Sequence, residues 1–225
     1  MESKTLALSM RQNDEYGYEL AHRLAREQLL KIDDVAPQCS KSGAQYLESR
    51  KAITIEYLNQ SYRITLPEVK ISLTGEGETV PIRDQILILH YLTQAKGTPL
   101  SKQMITYKEL PGGSVYFPTF CQRTIRPLVN CFGNAPHRLL EIAKIFGGHQ
   151  ADYGDVAVTI NAFRRVPITL VLWQGDGEFA PEGNIMFDRT ISDYLPTEDI
   201  TVLCETIVRG LIKLLKAGGP GSRCR

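Results

Sequence analysis

PITLVLWQGDGEFAPEGNIMFDRTISDYLPTED, running from Pro167 to Asp199, decides how this chain is read. Its opening, PITLVLW, is apolar almost without a break and rich in branched side chains. Such a run reads as a strand covered on both faces, and therefore a central one. The QGDGEF that follows reads as an acidic turn, because Asp-Gly is turn chemistry. NIMFD reads as a second short strand. A long helix then starts after Pro196, with Thr197 as its cap. Glu198 and Asp199 lie in its first turn, where the positive end of the helix dipole favours acids. Ile200, Leu203, Cys204, Ile207, Leu211 and Leu214 give that helix one broad apolar face.

Working outward, DVAVTI (Asp155–Ile160) reads as a strand joined to the central one by NAFRRV. Two helices precede it. One spans roughly Pro118 to Phe132 with Cys121, Ile125, Leu128 and Phe132 in a stripe. The other spans roughly Pro136 to Phe146 and closes at Gly147-Gly148. Upstream, Gly112-Gly113 reads as a turn that lets the backbone approach something closely, and MITYKEL (104–110) as a strand. Ile82 to Ala95 reads as a helix behind Pro81, ended by Gly97. Residues 52–66 read as a hairpin turning at Asn59-Gln60-Ser61, followed by the strand VKISL. Gly75–Glu78 reads as a turn. DDVAPQCSKSGAQ reads as a loop. Leu20, Leu24, Ala25 and Leu29 recur at helical spacing between Tyr16 and Ile32, with Asp14 placed to cap that helix. The pattern predicts α+β architecture: a mainly antiparallel sheet with hairpins, flanked by about five helices, the last one long. Residues 15–216 read as a single domain, and residues 1–14 and 217–225 as flexible tails.

The chain has 225 residues, 43% hydrophobic and 23% charged, in the ordinary range for a globular protein. A net charge of +1 gives no global field for nucleic acid or an acidic membrane. No apolar run is long enough to span a bilayer, and the N-terminal stretch lacks the apolar core of a signal peptide. The five cysteines are an odd, widely spaced set without a CxxC pair, which predicts free thiols in a cytoplasmic protein. Their spacing fits neither structural zinc nor an iron–sulfur cluster.

Four separated motifs carry a family resemblance: LPGG..YF..F, DYGDVAV, VP..LVLWQGDGEF and FD..IS.YLPTED. Together they are similar, over roughly residues 15–215, to an uncharacterised family of bacterial and archaeal proteins, mostly from anaerobes. Some relatives carry an additional amino-terminal iron–sulfur segment like that of corrinoid iron–sulfur proteins. This chain shows no such cysteine-rich segment, so cluster binding is not carried over. The resemblance implies an association with corrinoid or one-carbon chemistry, with a corrinoid or iron–sulfur protein as partner.

Four constellations are candidates for chemistry. Asp176, Glu178, Glu182, Asp188, Asp193, Glu198 and Asp199 crowd one stretch, with Asp152 and Asp155 at another strand start. Paired carboxylates suit acid–base work or a hard cation; the same acids also serve turns and a helix start. His90, on a helix, and His149, on a glycine-rich loop, are the candidates for ligating a metal or a tetrapyrrole. Cys121 stands near a helix start, where a thiolate is stabilised, although its apolar stripe favours a buried thiol. Arg123, Arg126, Arg164 and Arg165 are groups that bind carboxylates and phosphates. The leading expectation is an accessory binding domain that holds an anionic ligand or partner with Gly112, Gly113, Trp173, Asp176, Phe179, Arg123 and Arg126. One alternative is a hydrolase or lyase using Asp176 and Glu178, with or without a divalent cation. Another is a non-covalent tetrapyrrole protein, binding haem or corrinoid.

Overall fold

A computed structural model describes residues 17–75, 79–176 and 178–218. The sequence reading also touches Asp14, the tail residues 1–14 and 219–225 with Cys224, Glu76–Glu78 and Gly177; these lie outside the described residues. Two units divide the chain. The first holds the described residues up to Ile55 together with Ser61–Ala95, and the second holds Glu56–Gln60 and those from Lys96 onward.

The first unit opens with helix α1 over residues 17–30. Helix α2 (Val35–Ser42) follows, where the sequence predicts only a loop. Its start is an Asp34 carboxylate that accepts from Ala36 N (3.0 Å), and its end is Gly43 at φ 76°. Tertiary bonds reward this helix. Gln38 Nε2 donates to the carbonyls of Leu92, Thr93 and Ala95 (2.8, 3.1 and 2.9 Å), which the end of a helix leaves unsatisfied. Strands β1 (Gln45–Leu47), β2 (Ala52–Tyr57), β3 (Gln60–Thr65) and β4 (Lys70–Leu73) form an antiparallel sheet in that order. The expected hairpin is present, but it turns at Leu58-Asn59. Both residues have positive φ (48° and 63°), a two-residue turn matched to strand twist. Helix α3 (Ile82–Gln94) completes the unit.

The second unit is built on a five-stranded antiparallel sheet, order β5-β9-β8-β7-β6. In chain order it comprises β5 (Met104–Thr106), α4 (Gly113–Arg123), α5 (Ile125–Phe132), α6 (His137–Ala143), β6 (His149–Ala151), β7 (Val156–Phe163), β8 (Val166–Trp173), β9 (Glu182–Asp188) and the long α7 (Thr197–Lys216). The PITLVLW run is the middle strand, and Ile168, Leu170, Val171 and Leu172 are fully buried. The protein is thus α+β, with antiparallel sheets and a long last helix. No described helix is long and apolar enough to cross a membrane.

Three further local readings, in the second unit, differ from expectation. The helix expected over Pro118–Phe132 is two helices, because α4 already starts at Gly113 and the chain breaks at Thr124 (φ −128°, ψ −68°). Pro118 sits inside α4, and the Thr124 hydroxyl donates back to Phe120 O (2.7 Å), a bond that favours bending. The strand read through Leu110 ends at Thr106, where Glu109 folds back onto Thr106 in a capping box. Thr197 does not cap α7; as its first residue it donates its hydroxyl to Pro111 O (2.8 Å).

Candidate functional site

A well-formed cleft of the second unit lies between α4 and α7, and its geometry starts at the double glycine. Gly112 takes φ 70°, which glycine adopts without strain. At Gly113 a Cβ would fall 1.9 Å from Tyr107 O, so only glycine lets α4 approach here. The close approach inferred from the sequence is therefore to the chain's own backbone. It places Tyr107 flat against Phe120, with centroids 3.8 Å apart and planes 11° apart. Phe120 in turn meets the edge of Phe187 on β9 at 6.5 Å.

Tyr107 and Phe120 form the apolar wall of a cleft of about 380 Å³, with the exposed Tyr116 at its side. The α7 wall is hydroxylated. Thr201 donates to Thr197 O (3.0 Å), so Tyr107 donates its phenol hydrogen to Thr201 Oγ1 (2.8 Å). Burial pushes the Tyr107 phenol above its ordinary pKa, which keeps it a donor. Arg123 and Glu198 also line the cleft. Behind Arg123 stands Glu205, only 2% exposed, which takes Arg123 on Oε2 and Arg209 on Oε1. Two guanidinium groups face that one carboxylate, and Glu198 adds a second carboxylate to the cleft's own lining. A cleft of this size falls within the range of small-molecule sites.

The sequence-predicted residues divide among several places. Gly112 and Gly113 set the helix start, and Arg123 lines the cleft. Arg126 is exposed on α5 and is not among the lining residues. Trp173, Asp176, Glu178 and Phe179 lie at one end of the sheet, with Trp173 40% and Phe179 70% exposed. The DYGD turn reaches the same end: Asp155 N donates to Leu172 O (3.0 Å) and Asp155 Oδ2 accepts from Gln174 N (2.8 Å). Asp176 spends Oδ1 on Glu178 N and Phe179 N (2.8 Å each). Those backbone donors, Phe179 first, hold its carboxyl below the usual range. Asp188 accepts from Ser101, Lys102 and Thr190, and Asp193 from Lys96 and Thr98. His90 lies on α3 and His149 opens β6; neither lines the cavities described below or above. No group of three or more His, Cys, Asp or Glu that could hold a metal occurs among the described residues.

Cys121 lines a smaller cavity of about 280 Å³ with Phe117, Ile125 and Gly183, on another side of α4. Sequence reasoning missed Tyr107, Tyr116, Phe120, Thr201 and Glu205. One signal was present: Glu205 falls beside the apolar face of the last helix with Arg209 one turn on. A carboxylate at that border needs a partner. Nothing local announces the aromatic wall, because Tyr107 and Phe120 meet only through the fold.

No curated protein and no solved structure matches this chain. A family model described as "Domain of unknown function (DUF3786)" matches residues 34–210, most of the chain, and the protein belongs to that family.

Proposed function

We propose that this protein is an accessory binding domain that holds a small ligand with a flat apolar body and an anionic end in the α4–α7 cleft. The observation that carries this reading is the Arg123–Glu205–Arg209 cluster at the edge of the Tyr107–Phe120 wall. The Arg123 guanidinium, which lines the cleft, would take the ligand's anionic oxygen, as guanidinium groups do, and the rings would cover its apolar face. Non-denaturing mass spectrometry of protein isolated anaerobically tests it. A retained small-molecule mass is expected in the wild type and its loss in Arg123→Met, which keeps the aliphatic stem. Free wild-type protein whose melting temperature does not respond to 4-hydroxybenzoate, an aromatic carboxylate of fitting size, would count against the reading.

A second reading is favoured by the exposed aromatics at one end of the sheet, Tyr153, Trp173 and Phe179. That end would receive a protein partner, and the resemblance noted above suggests a corrinoid or iron–sulfur protein. Alanine at Trp173 and Phe179 should then abolish capture of a purified corrinoid iron–sulfur protein while the melting temperature holds. The free thiols of the described cysteines support a cytoplasmic setting. The hydrolase or lyase alternative gains no support from Asp176, whose carboxylate is engaged by its own turn. A tetrapyrrole ligand gains none from His90 or His149.

A further inference from the structure

The first unit contains a cavity of about 530 Å³ between α1, β4 and the start of α3, lined among others by His22, Arg26, Glu68, Lys70 and Gln85. Two of its side chains are incompletely satisfied. His22 Nε2 and Arg26 Nε are both buried from solvent and have no hydrogen-bond partner. They stand one helical turn apart on α1, so they present to the same side. Burying such nitrogens unpaired is costly unless something supplies the missing bonds.

The two nitrogens ask for opposite things. Gln85 Nε2 donates to Val80 O (2.8 Å), which leaves its carbonyl oxygen to receive a hydrogen from His22. Since Nε2 is unpartnered, that hydrogen comes from Nδ1, and Nε2 is left with a lone pair. Burial, and then the Arg26 charge, lower the His22 pKa, which keeps the ring neutral. Arg26 Nε, in contrast, carries a hydrogen. Its Nη2 already donates to Glu68 O (2.6 Å), which fixes the guanidinium in place. The cavity lining thus holds one acceptor and one cationic donor, with Lys70 adding a second positive charge against Glu68, the one acid among the described lining residues.

We infer that this cavity binds an oxyanion that keeps an O–H: hydrogen phosphate, or a small hydroxylated phosphate ester. The O–H donates to His22 Nε2, and the charged oxygens accept from Arg26 Nε and Lys70. The cavity is larger than a free phosphate fills, which leaves room for the ester's organic part. Sulfate matches phosphate in shape and charge but has no O–H at neutral pH, so it leaves the histidine lone pair unpaired.

Isothermal titration of the full chain with phosphate, sulfate and glycerol 3-phosphate tests this. Phosphate should bind at least about tenfold tighter than sulfate, the worth of one buried hydrogen bond. His22→Phe should erase that preference, and Lys70→Ala, at an exposed position, should weaken both ions. Tighter binding of glycerol 3-phosphate than of phosphate would identify the ester as the ligand, and the reverse the free ion. Nitrogen-15 spectra of the wild-type imidazoles give a readout independent of variant folding: His22 Nε2 should shift on adding phosphate and stay put with sulfate. Equal affinity for the two ions, or no binding of phosphate and glycerol 3-phosphate at millimolar concentration, overturns the inference.

Discussion

Substituting Asp188 by Asn changes almost no volume, yet it removes the charge on which one end of β9 is fastened. Asp188 is 3% exposed. Its Oδ1 accepts from Ser101 N and Oγ (3.1 and 2.9 Å) and from Thr190 N and Oγ1 (3.0 and 2.7 Å). Its Oδ2 accepts from Lys102 N (2.7 Å). That last bond holds Lys102 at φ 60°, a conformation a lysine seldom adopts. In the variant an amide nitrogen would face the Lys102 N–H, donor against donor. The bond lost there is worth about 1.5–3 kcal/mol, and the bonds to Oδ1 weaken as their acceptor becomes neutral. We expect a total loss of about 3–4 kcal/mol. At roughly 2–4 °C per kcal/mol for a chain of this length, the melting temperature should fall by about 6–16 °C. Burial alone would raise the Asp188 carboxyl, but its hydrogen bonds to Thr190 and Ser101 outweigh it and hold the pKa below the usual range. A depressed pKa means the stabilisation is complete above the ordinary carboxylate value of about 4. It is lost as pH falls through the lower folded value. The wild-type advantage should therefore be level between about pH 7 and 5 and shrink below about pH 4. The assay is urea unfolding followed by the fluorescence of Trp173, the chain's single tryptophan, which sits on the strand paired with β9. A loss under about 1 kcal/mol, or a gap that persists undiminished into acid, would refute the reasoning.

Gly113→Ala should cost at least about 3 kcal/mol, because the new methyl would collide with Tyr107 O at a helix start that cannot retreat without opening the Tyr107–Phe120 stack. Circular dichroism melts would show it, and a variant as stable as wild type would mean that α4 has slack. Among the described cysteines, alkylation of the native protein near neutral pH should spare Cys39 and Cys204 and modify Cys121 and Cys131. Burial pushes Cys39 up to about 11 and raises Cys204 further, while the other two are partly exposed. Peptide mapping by mass spectrometry reads this directly, and early labelling of Cys204 would contradict the packing of α7.

The elements that could be read from the sequence are those whose signal is local. The run Pro167–Trp173, apolar except at Thr169, names a central strand because a strand covered on both faces is apolar on both sides. The stripe from Ile200 to Leu214 names α7 for the same kind of reason. Helix α2 was illegible because its reward is distant: Gln38 bonds to the end of α3, some fifty positions along the chain. The break at Thr124 was illegible because Pro118 suggests a helix start, while Gly112 provides the real one. The cleft was half legible. Arg123 and the glycines stood out by chemistry, whereas Tyr107, Phe120 and Glu205 acquire meaning only when α4 and α7 pack.

Charge partnership separates the acids that drew attention in the sequence from the charges that remain available. Asp176, Asp188 and Asp193 are each engaged by donors of the chain itself, and for each the pKa is lowered, the signature of a carboxylate stabilised in its ionised form. A general acid needs the opposite, a carboxyl raised toward neutrality. The acid-rich stretch therefore reads as fastening: Asp176 holds a loop, Asp188 holds a strand end, and Asp193 holds Lys96 and Thr98. Glu205 differs because it faces two arginines. A buried carboxylate is tolerated when both its oxygens are satisfied, and here each oxygen takes one guanidinium. Of the two guanidinium groups, Arg123 lines the cleft and Arg209 is not among its lining residues, so Arg123→Met strips the cleft wall of a cation while Arg209 still pairs with Glu205.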